Sequence, residues 1–89
     1  MWKLLVRTFE LQDDEWEPVL DHAFFGKTRE EALHYSDSHA KTDSFYRETG
    51  GSIAARESFK RDGAFVIVRG SFRDIPTQTE AEFKKRKRV

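Results

Sequence analysis

The side chains with the plainest chemistry stand together near the end of the chain. Lys84, Lys85, Arg86, Lys87 and Arg88 are five consecutive cations. Such a run suits phosphate contact, in which binding releases condensed counterions and weakens steeply with salt. Residues 1–83 carry 11 Lys/Arg against 16 Asp/Glu, a net of −5, so this run brings the formal total to zero. The pattern predicts a mildly acidic body with a basic appendage, and basic tails seek polyanions. The same run also does the plainer work of keeping a solvated terminus soluble.

A second constellation lies upstream. Alternation places Arg56, Ser58, Lys60, Phe65, Ile67, Arg69, Ser71 and Arg73 on one side of a predicted hairpin. Residues 52–75 hold five basic and three acidic side chains, so the region is locally positive. Aromatic and aliphatic groups between arginines suit base stacking with phosphate contact. They equally suit a protein interface, where Phe65 and Ile67 would be the apolar anchors. Arg56 and Arg69 would face each other and repel unless an anion or an acidic partner lay between them.

The remaining candidates are weaker. His22, His34 and His39 are the imidazoles. The five-residue spacing of His34 and His39 sends their rings apart on a helix, so no metal site is expected. His39 and Asp43 are one turn apart and should hydrogen-bond, with His22 able to reach them. Ser36, Asp37, Ser38, His39 and Asp43 contain the letters of a hydrolytic triad without a nucleophile elbow or an oxyanion hole. Gly26-Lys27-Thr28 resembles the end of a phosphate loop, but Asp21 stands where its first glycine belongs. No catalytic residue and no cofactor are expected. Trp16, among Asp13, Asp14, Glu15 and Glu17, reads as a lid over a hydrophobic edge or a hook for a basic partner.

These groups need a scaffold. Residues 3–11 read as a first strand, with Leu4, Val6 and Thr8 on one face and Leu5, Phe9 and Leu11 on the other. An acidic connection follows over Gln12 to Glu17, then a second strand over Val19 to Phe25. Thr28-Arg29-Glu30-Glu31 is a capping box that starts a helix at Arg29. That helix is predicted to Lys41, with a bent extension to Arg47. Gly50-Gly51 ends it. Ile53–Lys60 and Ala64–Asp74 are then predicted to pair across Arg61-Asp62-Gly63.

The expected fold is α+β: β-β-α-β-β, a four-stranded antiparallel sheet with one helix on one face and a flexible basic C-terminal tail. Residues 1–75 would be the single domain. Residues 76–89 would be the tail, disordered or a frayed helix begun by Thr77-Gln78-Thr79-Glu80.

Bulk composition narrows the function classes. Eighty-nine residues with eight Phe, two Trp and two Tyr support one small core. The absence of cysteine excludes disulfides, thiolate chemistry and Cys-bearing zinc sites. No apolar run approaches the ~18–20 residues needed to span a bilayer, and no membrane contact is expected. A cytoplasmic, non-enzymatic protein-interaction module follows, which docks a partner or a second copy through the exposed sheet face. The alternative is a nucleic-acid-binding accessory protein that uses the basic hairpin and the tail.

Overall fold

The computed structural model describes residues 1–49 and 65–85. Strand β1 (Trp2–Gln12) and strand β2 (Glu15–Gly26) form the first hairpin. Helix α1 (Arg29–Thr42) and the short helix α2 (Ser44–Glu48) follow. Strand β3 (Phe65–Phe72) and strand β4 (Ile75–Lys85) form the second hairpin. All pairings are antiparallel, in the spatial order β2-β1-β4-β3, with the helices packed on one face. The α+β, β-β-α-β-β architecture is therefore the observed one.

The second hairpin is not the one the sequence suggests. Ala64–Asp74 corresponds to β3, but its partner is β4, reached through a two-residue turn at Arg73-Asp74. The predicted strand Ile53–Lys60 and the turn Arg61-Asp62-Gly63 lie outside the described residues. Residues 76–85 are not a tail or a frayed helix, because they form most of a central strand that pairs with both β1 and β3. The reason is alternation. Thr77, Thr79, Ala81 and Phe83 are buried, while Gln78, Glu80 and Glu82 are only partly covered and Lys84 is exposed. Threonine suits a pleated, half-buried surface, and period two overrides the helix-start signal of the same residues. Pro76, near the start of β4, lacks a donor at a position where a strand tolerates it. The compact domain thus extends to at least Lys85; residues 86–89 lie outside the described residues.

Both hairpins close through paired positive-φ residues, Asp13 and Asp14 at 50° and 66°, and Arg73 and Asp74 at 50° and 64°. Positive φ at both central residues is the type I′ requirement, and Asp tolerates it better than most. The acidic connection accordingly shrinks from six residues to two, which leaves Trp16 in β2.

One face of the sheet carries the core. Leu4, Val6, Ala81 and Phe83 meet Ala32 and Ala40 of α1 and Tyr46 of α2. The small residues Ala32, Ser36 and Ala40 let α1 lie close to the strands. Thr28 caps α1 as expected, its hydroxyl accepting from the Glu31 amide at 3.1 Å, and Asp43 caps α2 by accepting from the Tyr46 amide at 2.9 Å. Each cap is worth about 1 kcal/mol. Under α2 the core is polar. The Thr79 hydroxyl donates to the Thr49 carbonyl at 2.6 Å, so the 3.4 Å contact between Thr8 and Thr79 needs Thr8 as its donor. Gly70 admits α2 to this arrangement, since a Cβ there would lie 3.0 Å from the Glu48 carbonyl oxygen.

Candidate functional site: the open sheet face and its basic end

The face opposite the helices is set by register. Outward-pointing residues of β1 are Lys3, Leu5, Arg7, Phe9 and Leu11, opposite Phe25, Ala23, Asp21, Pro18 and Trp16 of β2. On the other side of β1, β4 brings Lys84, Glu82, Glu80 and Gln78 opposite Lys3, Leu5, Arg7 and Phe9. Beyond them β3 sets Ile67 against Glu80 and Arg69 against Gln78. The surface alternates apolar groups with charges of both signs. Ile67 is 51% exposed, and Trp16, Val19 and Phe25 are exposed as well. Arg7 reaches Asp21 at 3.4 Å across the strands, a solvent-facing pair of small energetic weight.

The sequence-derived site residues fall in four groups. Ile67 and Arg69 do lie on this open face, and the strand of Phe65 continues it, with Phe65 paired to Glu82 through the backbone. Arg73 does not; it occupies the hairpin turn, with its guanidinium 5.1 Å from the Phe72 ring centroid. Arg56 and Lys60 lie outside the described residues, as do Arg86, Lys87 and Arg88. Lys84 and Lys85 belong to β4 and are held by the sheet instead of trailing from it. The face therefore carries carboxylates where the sequence suggested arginines, because its neighbour to β3 is β4. Trp16 is no lid. It stands in the edge strand opposite Leu11, 36% exposed.

Charge is also sorted along the strands. The type I′ turns lie at the same end, because the C-terminal end of β1 neighbours the start of β4. That end gathers Asp13, Asp14, Glu15, Glu17 and Asp74, with Arg73 beside Asp74 in the turn. The opposite end holds Lys3, Lys84 and Lys85, with Lys27 and Arg29 just beyond β2 and Glu30 and Glu31 in the helix turn next to them. Lys85 Nζ and the Arg29 guanidinium both approach the Trp2 ring, at 5.8 and 5.1 Å from its centroid. Ten residues of strand separate the ends by roughly 33 Å. Lys3, Phe25, Lys84 and Lys85 line a cleft of about 340 Å³ at the basic end. Sequence reasoning missed Lys3 and Phe25. Their assembly with Lys84 depends on β1–β4 pairing, which no local signal announces.

A third grouping lies on the helix side, at the β2 edge. The His22 and His39 ring centroids are 4.7 Å apart, and each is 5.0 Å from that of Tyr46. Phe24 stacks beside His22 at 5.9 Å. The expected His39–Asp43 hydrogen bond is instead a 3.7 Å separation, too long to count as one, and the buried Nε2 has no hydrogen-bond partner among the described residues. His34 points elsewhere, exposed beside Tyr35. Ser36 is fully buried and shares a 2.7 Å hydrogen bond with the Tyr46 hydroxyl, closed to any substrate. Burial pushes the Tyr46 phenol up to about 12, although the Ser36 hydrogen bond acts against it. Among the described residues no three His, Asp or Glu side chains converge as metal ligands.

His22 should give the fold a pH-dependent stability. Burial holds its imidazole below the ordinary 6.5, His39 reinforces this, and the Asp43 and Asp21 carboxylates pull the other way. The folded chain therefore binds this proton less readily than the unfolded chain. Its contribution is complete above about pH 6.5 and is lost as pH falls from there through the lower folded value. Urea midpoints should decline over that interval, and His22→Phe should flatten the decline. An unchanged slope in the variant would place the sensitivity elsewhere.

No protein-family model, curated protein or solved structure matches the chain. Among the described residues no helix is long and apolar enough to cross a membrane.

Proposed function

We propose that this chain is a non-enzymatic protein-interaction module that associates with a second copy of itself through the open sheet face. One observation carries the reading: among the described residues the helices cover one face of the four-stranded sheet, and its other face sets Leu5, Phe9, Leu11, Trp16 and Ile67 among charges of both signs. Exposed apolar groups ringed by charge are how an interface core and rim are composed. A two-fold axis parallel to β1 and β4 would set Arg7 of each copy against Glu80 of the other, which gives a self-complementary centre. The alternative route, edge-to-edge pairing along β2, is obstructed. Pro18 lacks a donor, a bulge interrupts the register between Thr8 and Phe9, and Glu15, Glu17 and Asp21 charge the edge.

Nucleic acid laid across this face would meet Glu80, Glu82 and Asp21 at its middle, and those carboxylates repel phosphate. The lack of cysteine suits a reducing compartment such as the cytoplasm. Strands of about ten residues, four across, give a face of roughly 33 by 15–20 Å. This is small for an interface and implies a weak, concentration-dependent dimer.

Sedimentation velocity over a concentration series should show a monomer–dimer equilibrium that responds little to salt. Ile67→Lys should shift it to monomer without unfolding the chain, because the new ammonium lies opposite Glu80 on an exposed position. An intact chain that stays monomeric at its highest soluble concentration would overturn the reading. So would an Ile67→Lys variant that dimerises as well as the parent.

A further inference from the structure

Lys3 and Lys84 stand directly opposite each other on neighbouring antiparallel strands, both on the open side. Like charges at such positions destabilise a sheet. Among the described residues Lys3 makes no ion pair. Lys84 has one long contact, 3.9 Å to Glu82 of its own strand. Lys85 borders the same cleft, but its ammonium turns to the Trp2 ring on the helix side. Phe25, opposite Lys3 on the other side, forms an aromatic wall that is 39% exposed. A repelling pair beside an exposed ring makes sense when an anion attached to a flat apolar group occupies the space between them.

We propose that this cleft binds a nucleotide unit, with its phosphate between Lys3 and Lys84 and its base against Phe25. Base stacking on an aromatic ring tolerates any base, and lysines contact phosphate as point charges without reading sequence. The volume of about 340 Å³ suits one small ligand. The charge gradient along the strands favours the same end, with the acidic turns roughly 33 Å away. Glu82 limits the site on the sheet side, so a strand of nucleic acid would run across the end of the sheet and not along its face. The inference stands apart from self-association, because these residues lie at the strand ends, beyond the apolar centre of the face.

Fluorescence anisotropy on the intact chain tests it with three probes at low and moderate salt: a labelled twelve-residue oligothymidylate, adenosine monophosphate as competitor, and base-free polyphosphate as competitor. The oligonucleotide should bind at low salt. Lys3→Met and Lys84→Met should each weaken it several-fold and lower the log–log salt slope by about 0.7. Phe25→Ala should weaken it by about 5- to 100-fold even at low salt, yet leave polyphosphate competition unchanged. Without ligand, Lys3→Met should melt higher than the parent, since it removes the repulsion; this also shows that its binding loss is not misfolding. Competition by adenosine monophosphate would identify a free nucleotide as sufficient, and its failure would assign the site to a strand. The proposal is overturned if neither nucleotide probe binds. It is also overturned if Phe25→Ala leaves oligonucleotide affinity intact, which would reduce the effect to unspecific attraction by the basic end. Neither failure touches the dimer reading, whose test is the state of association.

Discussion

Truncation of Phe83 to alanine should cost roughly 3–5 kcal/mol, the range for an aromatic lost from a packed core. Phe83 is 3% exposed, sits opposite Leu4 across the β1–β4 pairing, and meets the Trp2 ring edge-on at 6.4 Å. A domain of this length has about 4–13 kcal/mol of stability in total, so the variant should be close to unfolding at growth temperature. In a melt followed by circular dichroism, the midpoint should fall by about 12–40 °C. The test separates two views of the C-terminal segment. If residues 76–89 were a solvated tail, Phe83 would touch nothing and the substitution would be nearly silent. A midpoint shift below about 4 °C would mean that β4 is not part of the core.

The segment misleads because its apolar content is low and its buried positions are mostly threonine. Read as a capping box, Thr77-Gln78-Thr79-Glu80 is a helix start. Read by alternation, Thr77, Thr79, Ala81 and Phe83 form one face of a strand whose other face is Gln78, Glu80, Glu82 and Lys84. The hydroxyl of Thr79 donates to a carbonyl thirty residues away, at Thr49, and accepts from Thr8 in β1. Partners that distant leave no local trace in a sequence. Features that depend on neighbours were legible: the Thr28 cap, the α1 boundaries within a residue, the alternation of β1, and Ile67 on the opposite side from Val68.

The candidate site divides along the same line. Ile67 and Arg69 could be assigned to an exposed face because β3 alternates by itself. The company they keep could not, because it depends on which strand pairs with β3. With β4 there, Glu80 and Glu82 enter the middle of the face, and the cationic character moves to one end of the strands. Lys3 looks unremarkable beside Leu4 until β4 sets Lys84 against it. The five-cation run likewise changes meaning, since its first two members are held by the sheet. The acidic body and basic appendage of the sequence become the two ends of one domain.

Gly26 offers the sharpest test of how that basic end is held. A Cβ added there would lie 2.6 Å from the Ala32 amide nitrogen, 2.8 Å from the Glu31 Cβ and 2.9 Å from the Thr28 carbonyl oxygen. Two of these are backbone atoms of the first turn of α1, which cannot swing aside as a long side chain would. They are also the two atoms of the hydrogen bond, at 3.2 Å, that opens the helix. Alanine must therefore push β2 and α1 apart or break the cap, and overpacking of this kind typically costs about 1–3 kcal/mol. Gly26→Ala should lower the urea midpoint accordingly. Gly70→Ala, whose tightest contact is 3.0 Å to a single carbonyl oxygen, should cost less. Because Gly26 lies between Phe25 and Lys27, the displaced strand end should also carry the Phe25 ring away from Lys3 and weaken oligonucleotide binding under conditions where the variant is still folded. A Gly26→Ala protein as stable as the parent would show that α1 does not sit this close to the end of β2, and the wall that Phe25 lends to the cleft would go with it.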